Sequence, residues 1–293
     1  MRSKMRVFVG ITSYNTQEYL RNCVEKLLSP PGQSTRGAVY RAMRDRWTPA
    51  ERPHAQKLPA VTRPARIHVV DNGSTDGTIE MLRSWSSRSD NIITHEVCEE
   101  NTLAAGGARR AVDRFLAEGD CDVFLHLDAD TELRGDAIGS LVRQIGGRDN
   151  AVVGVRVDKL VHRHPKSRSL RAFDEYIFGE WKQRHAPDMG DAEFRRRLII
   201  EGENGTQVYR ELCGWFLAMP TELIRRIGNV DDERYGMWRW ESEWVLRATV
   251  RGCDIEHADA VRDDMVHHFG GRSRRREKNP EKYDSIVERD LGA

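Results

Sequence analysis

Short apolar runs alternate with amphipathic segments along the first 130 residues of the chain. Four runs rich in Val, Ile, Leu and Phe predict strands at residues 7–11, 67–70, 92–97 and 123–128. Between them, apolar residues at helical spacing predict helices at residues 19–28, 78–86 and 103–116. Because parallel strands need a crossover connection, usually a helix, this alternation predicts an α/β fold with a mostly parallel, doubly wound sheet.

The pattern is less regular after Asp130. It predicts strands at residues 152–157, 213–219 and 266–269, and helices at 133–145, 222–227 and 240–250, with further helices near 173–185 and 190–200. The 293 residues are enough for one large domain with a substantial core. We therefore expect a single domain made of two halves, residues 1–130 and 131–269.

Two segments depart from this pattern. Residues 29–66 are rich in proline and basic residues and have little periodicity, so we expect an inserted surface loop. Residues 270–293 form a C-terminal tail with a basic cluster at 272–278. Both segments are candidates for peripheral contact with an anionic membrane or a nucleic acid, although solvated, flexible segments often have the same composition.

Composition narrows the class of protein further. Charged residues make up 32% of the chain, hydrophobic residues 39%, and the net charge of +1 argues against a surface that binds polyanions throughout. The five cysteines are scattered with no Cys-x-x-Cys spacing, which favours free thiols over a disulfide framework or a zinc site. No apolar stretch approaches the ~20 residues of a spanning helix. We expect a cytoplasmic protein, with peripheral contact at the inner membrane face left open.

Two aspartates follow the fourth predicted strand. That strand ends in Leu127-Asp128-Ala129-Asp130, and open α/β sheets bind ligands at the carboxyl ends of their strands. Mg²⁺ and Mn²⁺ take oxygen ligands, usually from one or two carboxylates and from substrate phosphates. Asp128 and Asp130 therefore predict a divalent metal that holds a phosphorylated substrate, although aspartate is also common in turns after strands.

Polar clusters follow two other predicted strands, at Thr12–Asn15 and Asp71–Asp76. Because the carboxyl ends of parallel strands meet at one edge of a sheet, we expect both clusters close to Asp128. Asn15 and Glu18 also have the spacing of a capping box, which predicts that Asn15 caps the first helix.

Together these segments resemble the family-2 glycosyltransferases, which are inverting enzymes of the GT-A fold. Ile11-Thr12-Ser13-Tyr14-Asn15 resembles the family's first strand end, the segment from Val69 to Asp76 its nucleotide-binding segment, and Leu127-Asp128-Ala129-Asp130 its Asp-x-Asp motif. The resemblance covers residues 7–28, 67–133 and 213–269. It implies a metal-dependent transferase with one GT-A domain, whose residues 1–130 bind a nucleotide-sugar donor and whose residues 131–269 bind the acceptor.

The resemblance also implies roles for residues on the donor side. Thr12, Asn15 and Asp71 hold the base and ribose, and a carboxylate that accepts a hydrogen bond from an imide N–H favours UDP or dTDP donors. Asp130, with help from Asp128, binds the Mn²⁺ or Mg²⁺ that bridges the diphosphate. The residues that lie where the family lines the donor pocket are Asn101, Gly107 and Arg110. The last either reaches phosphate or is a solvated helix residue.

An inverting transfer also needs a base opposite the leaving group. The family supplies an Asp at the start of a helix, usually as Glu-Asp, with an Arg six residues later and a Gly beyond. Counting back from Arg247, which precedes Gly252, implies Glu241 as the base and Glu243 as the fallback. The pattern is altered, because Glu replaces Asp and Trp240 replaces the preceding Glu. Acidic residues also favour a helix start for purely structural reasons.

The resemblance implies further residues at the metal and the acceptor. A histidine completes the metal shell in the family, and His267 is preferred here over its neighbour His268. Trp215, Trp238 and Trp240 lie towards the implied acceptor side. Aromatic rings stack on sugars, although tryptophan belongs to the core at least as often.

Two alternatives remain open from the sequence. The run from Asp128 to Thr131 also matches the Asp-x-Asp-x-Thr motif of haloacid-dehalogenase-type phosphatases, in which Asp128 attacks phosphorus and Asp130 is the acid/base. The other alternative is a protein that binds a nucleotide-sugar or a polyanion without turnover. The acceptor is not identified by these residues and belongs to one of several classes: a glycan, a lipid carrier, a metabolite, a protein or a modified nucleic-acid base.

Overall fold

The computed structural model describes residues 5–28, 62–89, 92–156, 174–201, 207–236 and 239–268. Most of the predicted insertion (29–61), the basic tail and Trp238 lie outside the described residues. Among the described residues, no helix has the length and apolar character needed to cross a membrane.

Strands and helices alternate up to Asp128 as the sequence predicts, but the strands at residues 131–133, 199–201, 207–209 and 254–257 were not predicted. The strands are β1 (Val7–Ser13), β2 (Arg66–Asp71), β3 (Ile93–Val97), β4 (Val123–Asp128), β5 (Thr131–Leu133), β6 (Ala151–Arg156), β7 (Ile199–Glu201), β8 (Gln207–Tyr209), β9 (Leu212–Pro220), β10 (Asp254–His257) and β11 (Met265–His267). The α-helices are α1 (Gln17–Leu28), α2 (Thr78–Arg88), α3 (Leu103–Glu118), α4 (Ala137–Ile145), α5 (Lys182–His185), α6 (Asp191–Leu198), α7 (Thr221–Ile227) and α8 (Trp240–Val250). A π-helix (Ile177–Trp181) precedes α5, and a 3₁₀-helix (Asp259–Asp264) precedes β11.

Seven strands form one central sheet, in the order β10-β6-β9-β4-β1-β2-β3. β4, β1, β2 and β3 are parallel neighbours, and β10 is parallel to β6. β9 is antiparallel to both β4 and β6, between which it lies. The prediction of a mostly parallel α/β sheet in a single domain is therefore confirmed. The antiparallel position of β9 brings the second half of the chain directly beside the strand that ends in Asp128.

The sheet separates two apolar clusters. Successive residues of a strand point to opposite faces, and β1 shows this directly, since Phe8 belongs to one cluster and Val9 to the other. α3 and α8 cover the face of Phe8, whereas α1, α2 and α4 cover the opposite face. The result is a three-layer arrangement in which α8 lies over β4.

Two predicted boundaries are wrong. Residues 131–133 form β5 rather than the start of a helix, and α4 begins at Ala137. Residues 199–200 belong to β7 rather than to the end of a helix. In both places a short strand pairs with a distant segment, β5 with β11 and β7 with β8. Local periodicity gives no signal for such pairing.

Candidate active site

Two aspartates and a histidine meet at the carboxyl end of β4. Asp128, Asp130 and His267 each offer one ligand atom, and these three atoms lie within 4.8 Å of one another. His267 Nε2 lies 3.2 Å from Asp130 Oδ1 and 3.7 Å from Asp128 Oδ2. Burial and the neighbouring charge of Asp130 raise the pKa of Asp128. Two carboxylates and an imidazole at this spacing are a donor set that suits a divalent cation such as Mn²⁺.

The small ribbon of β5 and β11 brings the histidine to the aspartates. The strands are antiparallel, with His267 opposite Thr131. The next residue, His268, donates its backbone N–H to Asp130 O at 3.0 Å, and its Nε2 lies 3.3 Å from Glu132 Oε2. Burial alone raises the pKa of Glu132, but hydrogen bonds from His268 and Arg134 lower it to about 2. The structure thus places His267 at the cluster and His268 in the network behind it.

Glu241 lies near this cluster, at the start of α8. Its Oε2 is buried and has no hydrogen-bond partner among the described residues. Burial raises the pKa of Glu241 to about 7, and the charges of Asp128 and Glu211 act in the same direction, against the lowering effect of Arg239. A carboxylate held in this state suits the acceptance of a proton near neutral pH.

Glu243, only two residues further on, has different surroundings. It is 2% exposed, its Oε1 accepts a hydrogen bond from Trp181 Nε1 at 2.8 Å, and the guanidinium of Arg247 lies 2.9 Å away. Arg247 also donates to the carbonyl oxygens of Ile227 and Asn229. Glu243 is therefore held in a buried ion pair, which leaves Glu241 as the candidate base.

Asp71, Asn15 and Ser74 form a connected network at the ends of β1 and β2. Asp71 is fully buried, and its two carboxylate oxygens accept hydrogen bonds from Ser74 N at 2.8 Å and Ser74 Oγ at 2.6 Å. Ser74 Oγ in turn accepts the backbone N–H of Asn15 at 2.8 Å, and Asn15 Oδ1 accepts that of Thr75 at 2.8 Å. Although burial raises the pKa of Asp71, the hydrogen bonds from Ser74 act against this.

The capping-box prediction for Asn15 is wrong. Its φ of +51° is left-handed, a conformation that asparagine tolerates better than most residues, and its side chain bonds to Thr75 instead of α1. The backbone N–H of Gln17, at the start of α1, is accepted by Asp76 Oδ2 at 3.0 Å. Asp76 Oδ1 also accepts Thr78 Oγ1–H at 2.6 Å, so one aspartate joins the starts of α1 and α2.

Thr12 lies at the end of β1 between α3 and β4. A Cβ at Gly107 would lie 2.4 Å from Thr12 Cγ2, so only glycine allows α3 to approach this closely. Thr12 Oγ1 is 3.4 Å from Nε2 of the buried His126. Two residues implied for the donor pocket lie at α3: Asn101 Oδ1 accepts the N–H of Leu103 at 2.8 Å, and Arg110 pairs with Glu96 at the rim of the sheet.

The two described tryptophans of the implied acceptor side differ in exposure. Trp215 is partly buried, and its ring stacks on that of His267, with 4.7 Å between ring centroids and a 5° angle between planes. Trp240 is 3% exposed and packs edge-on against His126 and beside Trp244. The structure therefore places Trp215 at the cluster, whereas Trp240 belongs to the core beneath it.

Sequence reasoning missed Ser74 and His126. An aspartate followed three residues later by a serine is a spacing typical of a local turn, so Ser74 had a readable signal. His126 had none, because its contacts come from β1, β9 and α8, which are distant in sequence.

The domain is thus a three-layer α/β domain with an Asp-Asp-His group that could hold a metal ion and a buried carboxylate at the start of α8. The model of the family "Glycosyl transferase family 2" matches residues 61–202, just under half of the chain. The match includes Asp71, Asp128 and Asp130 and ends before Glu241 and His267. Over these residues the chain is similar to the family-2 glycosyltransferases.

Comparison with solved structures finds similar chains of low identity. One is the mannosyltransferase PcManGT from Pyrobaculum calidifontis in complex with GDP-Man and Mn²⁺ (14% identity, TM-score 0.49, 87% of this chain and 55% of that chain). Others are S. aureus TarS (12%, 0.48, 86% and 35%) and GalNAc-T7 with UDP, GalNAc and Mn²⁺ (12%, 0.49, 88% and 43%). This chain thus spans about half or less of the length of these proteins. A search of curated proteins by sequence finds no match.

Proposed function

We propose that the chain is a metal-dependent inverting glycosyltransferase that moves a sugar from a nucleoside-diphosphate sugar to an acceptor hydroxyl. The observation that carries this proposal is the juxtaposition of the Asp128–Asp130–His267 cluster with Glu241, at the carboxyl edge of a family-2 domain. The cluster suits a cation that would hold the diphosphate, and Glu241 suits the acceptance of a proton.

The donor set fits a divalent cation. Asp128 and Asp130 provide hard oxygen ligands, and His267 adds an imidazole nitrogen, which suits Mn²⁺ better than Mg²⁺. When bound, such an ion stabilises the negative charge that develops on the leaving nucleoside diphosphate. The orientation of His267 is fixed by the stacking of its ring on Trp215 and by the hydrogen bond from the backbone N–H of His268 to Asp130 O.

Glu241 then acts as the general base. Its carboxylate takes the proton of the acceptor hydroxyl while that oxygen attacks the anomeric carbon of the donor sugar. The bond between the anomeric carbon and the diphosphate oxygen breaks on the opposite side, so the configuration inverts. The raised pKa of Glu241 keeps its basicity matched to this proton transfer near neutral pH.

The donor side is proposed to hold the nucleotide through Thr12, Asn15 and Asp71, with UDP or dTDP preferred over GDP. An imide N–H of uracil or thymine donates to a carboxylate oxygen, and a carboxylate has about four acceptor sites, of which Ser74 and the backbone of Gly73 engage three in Asp71. The proposed location is the cytoplasm.

The phosphatase alternative is weaker. It requires Asp128 to attack phosphorus, but in this structure Asp128 faces His267 in a cation-type cluster, within a stretch that matches a glycosyltransferase family. It also gives no role to Asp71 or Glu241. Release of phosphate from an aryl phosphate would favour it.

Calorimetry and thermal shift with UDP-, dTDP- and GDP-sugars, each with and without Mn²⁺, test the proposal. We expect binding of a UDP- or dTDP-sugar that strengthens at least tenfold with Mn²⁺. We also expect slow metal-dependent transfer of the sugar to water or an added acceptor, with release of the nucleoside diphosphate. Binding without any transfer across an acceptor panel would support the non-catalytic alternative. No binding of any nucleotide-sugar with Mn²⁺ would refute the proposal.

A further inference from the structure

A buried histidine contacts β1 on the proposed donor side, β9 on the proposed acceptor side, and α8, the helix that carries the proposed base Glu241 and is called the base helix below. His126, on β4, is 1% exposed. Its Nδ1 is 2.7 Å from Gly214 O, and because a carbonyl only accepts, Nδ1 carries the proton. Nε2 lies 3.4 Å from Thr12 Oγ1, so with the proton on Nδ1 it can accept the hydrogen of the Thr12 hydroxyl. One side chain thus links β1, β4 and β9.

The same histidine belongs to a row of side-chain pairs between β4 and α8. Phe124, His126 and Asp128 are alternate residues of one strand and share a face. Trp240 and Trp244 are one helical turn apart. Trp244 packs edge-on against Phe124 with ring centroids 6.3 Å apart, and Trp240 packs edge-on against His126 at 4.9 Å.

Beyond the pair of His126 and Trp240 lie Asp128 and Glu241. Asp128 is the next residue after His126 on the same face of β4, and Glu241 directly follows Trp240 in α8. Gly214, whose carbonyl accepts the hydrogen bond from His126, lies close to Trp240 and Glu241. A Cβ at position 214 would lie 3.0 Å from the Trp240 ring and 3.4 Å from Glu241 Cβ. β9 and the start of α8 are therefore in contact at the point where His126 holds β9.

We propose that His126 is a positioning residue that sets the location of Glu241 relative to Asp128. It acts through Gly214 and Trp240, and it joins this side to Thr12 at the end of β1. The inference rests on the proposed function, because it concerns the base of that reaction.

The expected cost of losing His126 follows from its contacts. Without the ring nitrogens, Gly214 O loses its partner in a buried place, and an unsatisfied buried group costs about 1–3 kcal/mol. Relaxation of β9 or α8 to recover a partner moves Glu241. Since a misplacement of about 1 Å can cost about 10²-fold in rate, we expect kcat to fall by about 10–100-fold.

The test uses His126→Phe in the full chain, with His68→Phe as the matched control. Phenylalanine keeps a ring against Trp240 and removes both hydrogen bonds. His68 is also buried, at 3% exposure, on the neighbouring region of the same sheet, and its Nδ1 is 2.8 Å from Thr94 Oγ1. We expect His126→Phe to lower kcat about 10–100-fold, with the KM for the donor and the affinity for Mn²⁺ alone changed less than threefold. His68→Phe should leave kcat within twofold. His126→Asn, which keeps a donor at the Nδ1 position, is the rescue variant and should keep kcat within about threefold of wild type. If His126→Phe does not fold, His126→Leu, which also removes both hydrogen bonds, replaces it.

A double-mutant cycle separates positioning from a general structural role. If His126 acts through Glu241, its replacement should lower kcat by less than threefold in a Glu241→Gln background. An equal loss in both backgrounds, or a kcat within twofold of wild type in the single variant, would overturn the positioning role alone. Absence of transfer by the wild-type protein would overturn the proposed function and this inference together, and calorimetry with Mn²⁺ alone would then still report whether the cluster binds the metal.

Discussion

The carboxylates of the donor side and of the base helix are both buried, but their surroundings are opposite. At the turn after β2, both oxygens of Asp71 accept hydrogen bonds from Ser74. At the start of α8, Glu241 Oε2 has no partner among the described residues, and the nearby charges of Asp128 and Glu211 oppose its ionisation. A buried polar group without a partner costs stability.

The difference separates two tasks. The donor side needs a fixed shape, and a satisfied hydrogen-bond network gives rigidity. A base needs a lone pair that is not already engaged, so the base helix carries the cost. In the same helix, Glu243 is instead held in an ion pair with Arg247, so its carboxylate is already engaged. Replacing Glu241 should therefore lower turnover more than stability, and replacing Glu243 should lower stability more than turnover.

The largest effect is expected at the cation cluster. Asp130→Ala removes a carboxylate that lies 3.2 Å from His267 Nε2, and metal-dependent turnover should fall to background, a loss of at least about 10²–10³-fold. Turnover and Mn²⁺ binding by calorimetry are the measurements. The exposed Asp149 provides the control, and Asp149→Ala should retain both. Full turnover by Asp130→Ala would remove this residue from the site.

Glu241→Gln keeps the size of the side chain and removes its basicity. We expect turnover to fall by about 10²–10⁴-fold, the usual contribution of a general base, while binding of the nucleoside diphosphate with Mn²⁺ stays within threefold. Single-turnover transfer and calorimetry measure the two quantities. Turnover close to that of wild type would show that another group accepts the proton.

Glu243→Gln should mainly affect the fold. It leaves the buried Arg247 without a counter-charge, and we expect the free energy of unfolding to decrease by roughly 2–4 kcal/mol. In the folded fraction, kcat should stay within about threefold. Denaturant titration at constant pH measures the first quantity. A kcat loss as large as that of Glu241→Gln, without loss of stability, would assign the base to Glu243.

The raised pKa of Glu241 should appear in the pH dependence of stability. Its pKa is raised from 4.5 to about 7 in the folded protein, so folding favours the protonated form. The free energy of unfolding therefore decreases as pH rises from about 4.5 to about 7. Glu241→Gln stays neutral, and without added metal it should be more stable than wild type by about 1–3 kcal/mol at pH 8 and equally stable at pH 4. The same difference at both pH values would contradict the raised pKa.

The smallest effect is expected at Arg110, which pairs with Glu96 at a position where both side chains are exposed. Arg110→Ala should change the free energy of unfolding by less than about 1 kcal/mol. If the guanidinium also contacts the donor phosphates, KM for the donor should rise at least about fivefold at low salt and less at high salt. Glu96→Gln, which breaks the same pair but keeps the cation, is the control. Unchanged KM in both variants would limit Arg110 to the surface pair.

Much of the fold and the main motifs were predictable because their signals are local. The alternation of apolar strands and helices predicts the parallel part of the sheet, and the order of strands then brings Thr12, Asp71 and Asp128 to one edge. The start of α8 was predicted at the residue where the structure begins it, Trp240. These inferences need only periodicity and the geometry of parallel strands.

The rest depended on contacts between distant segments. Neither the antiparallel insertion of β9 between β4 and β6 nor the pairing of β5 with β11 has a periodic signal, and these two pairings bring Trp215 and His267 to the aspartates. The capping box at Asn15 failed for the same reason, since a partner 60 positions away provided a better hydrogen bond than the helix.

The sequence by itself thus determined which residues end the strands and which chemistry those residues offer, because strand formation and metal preference follow from local side-chain types. The family resemblance already favoured His267 and Glu241 over their neighbours. Only the tertiary structure gave the physical reason, because burial and partners from other elements are what set these two residues apart from His268 and Glu243. Neither burial nor such partners can be read from spacing along one chain segment.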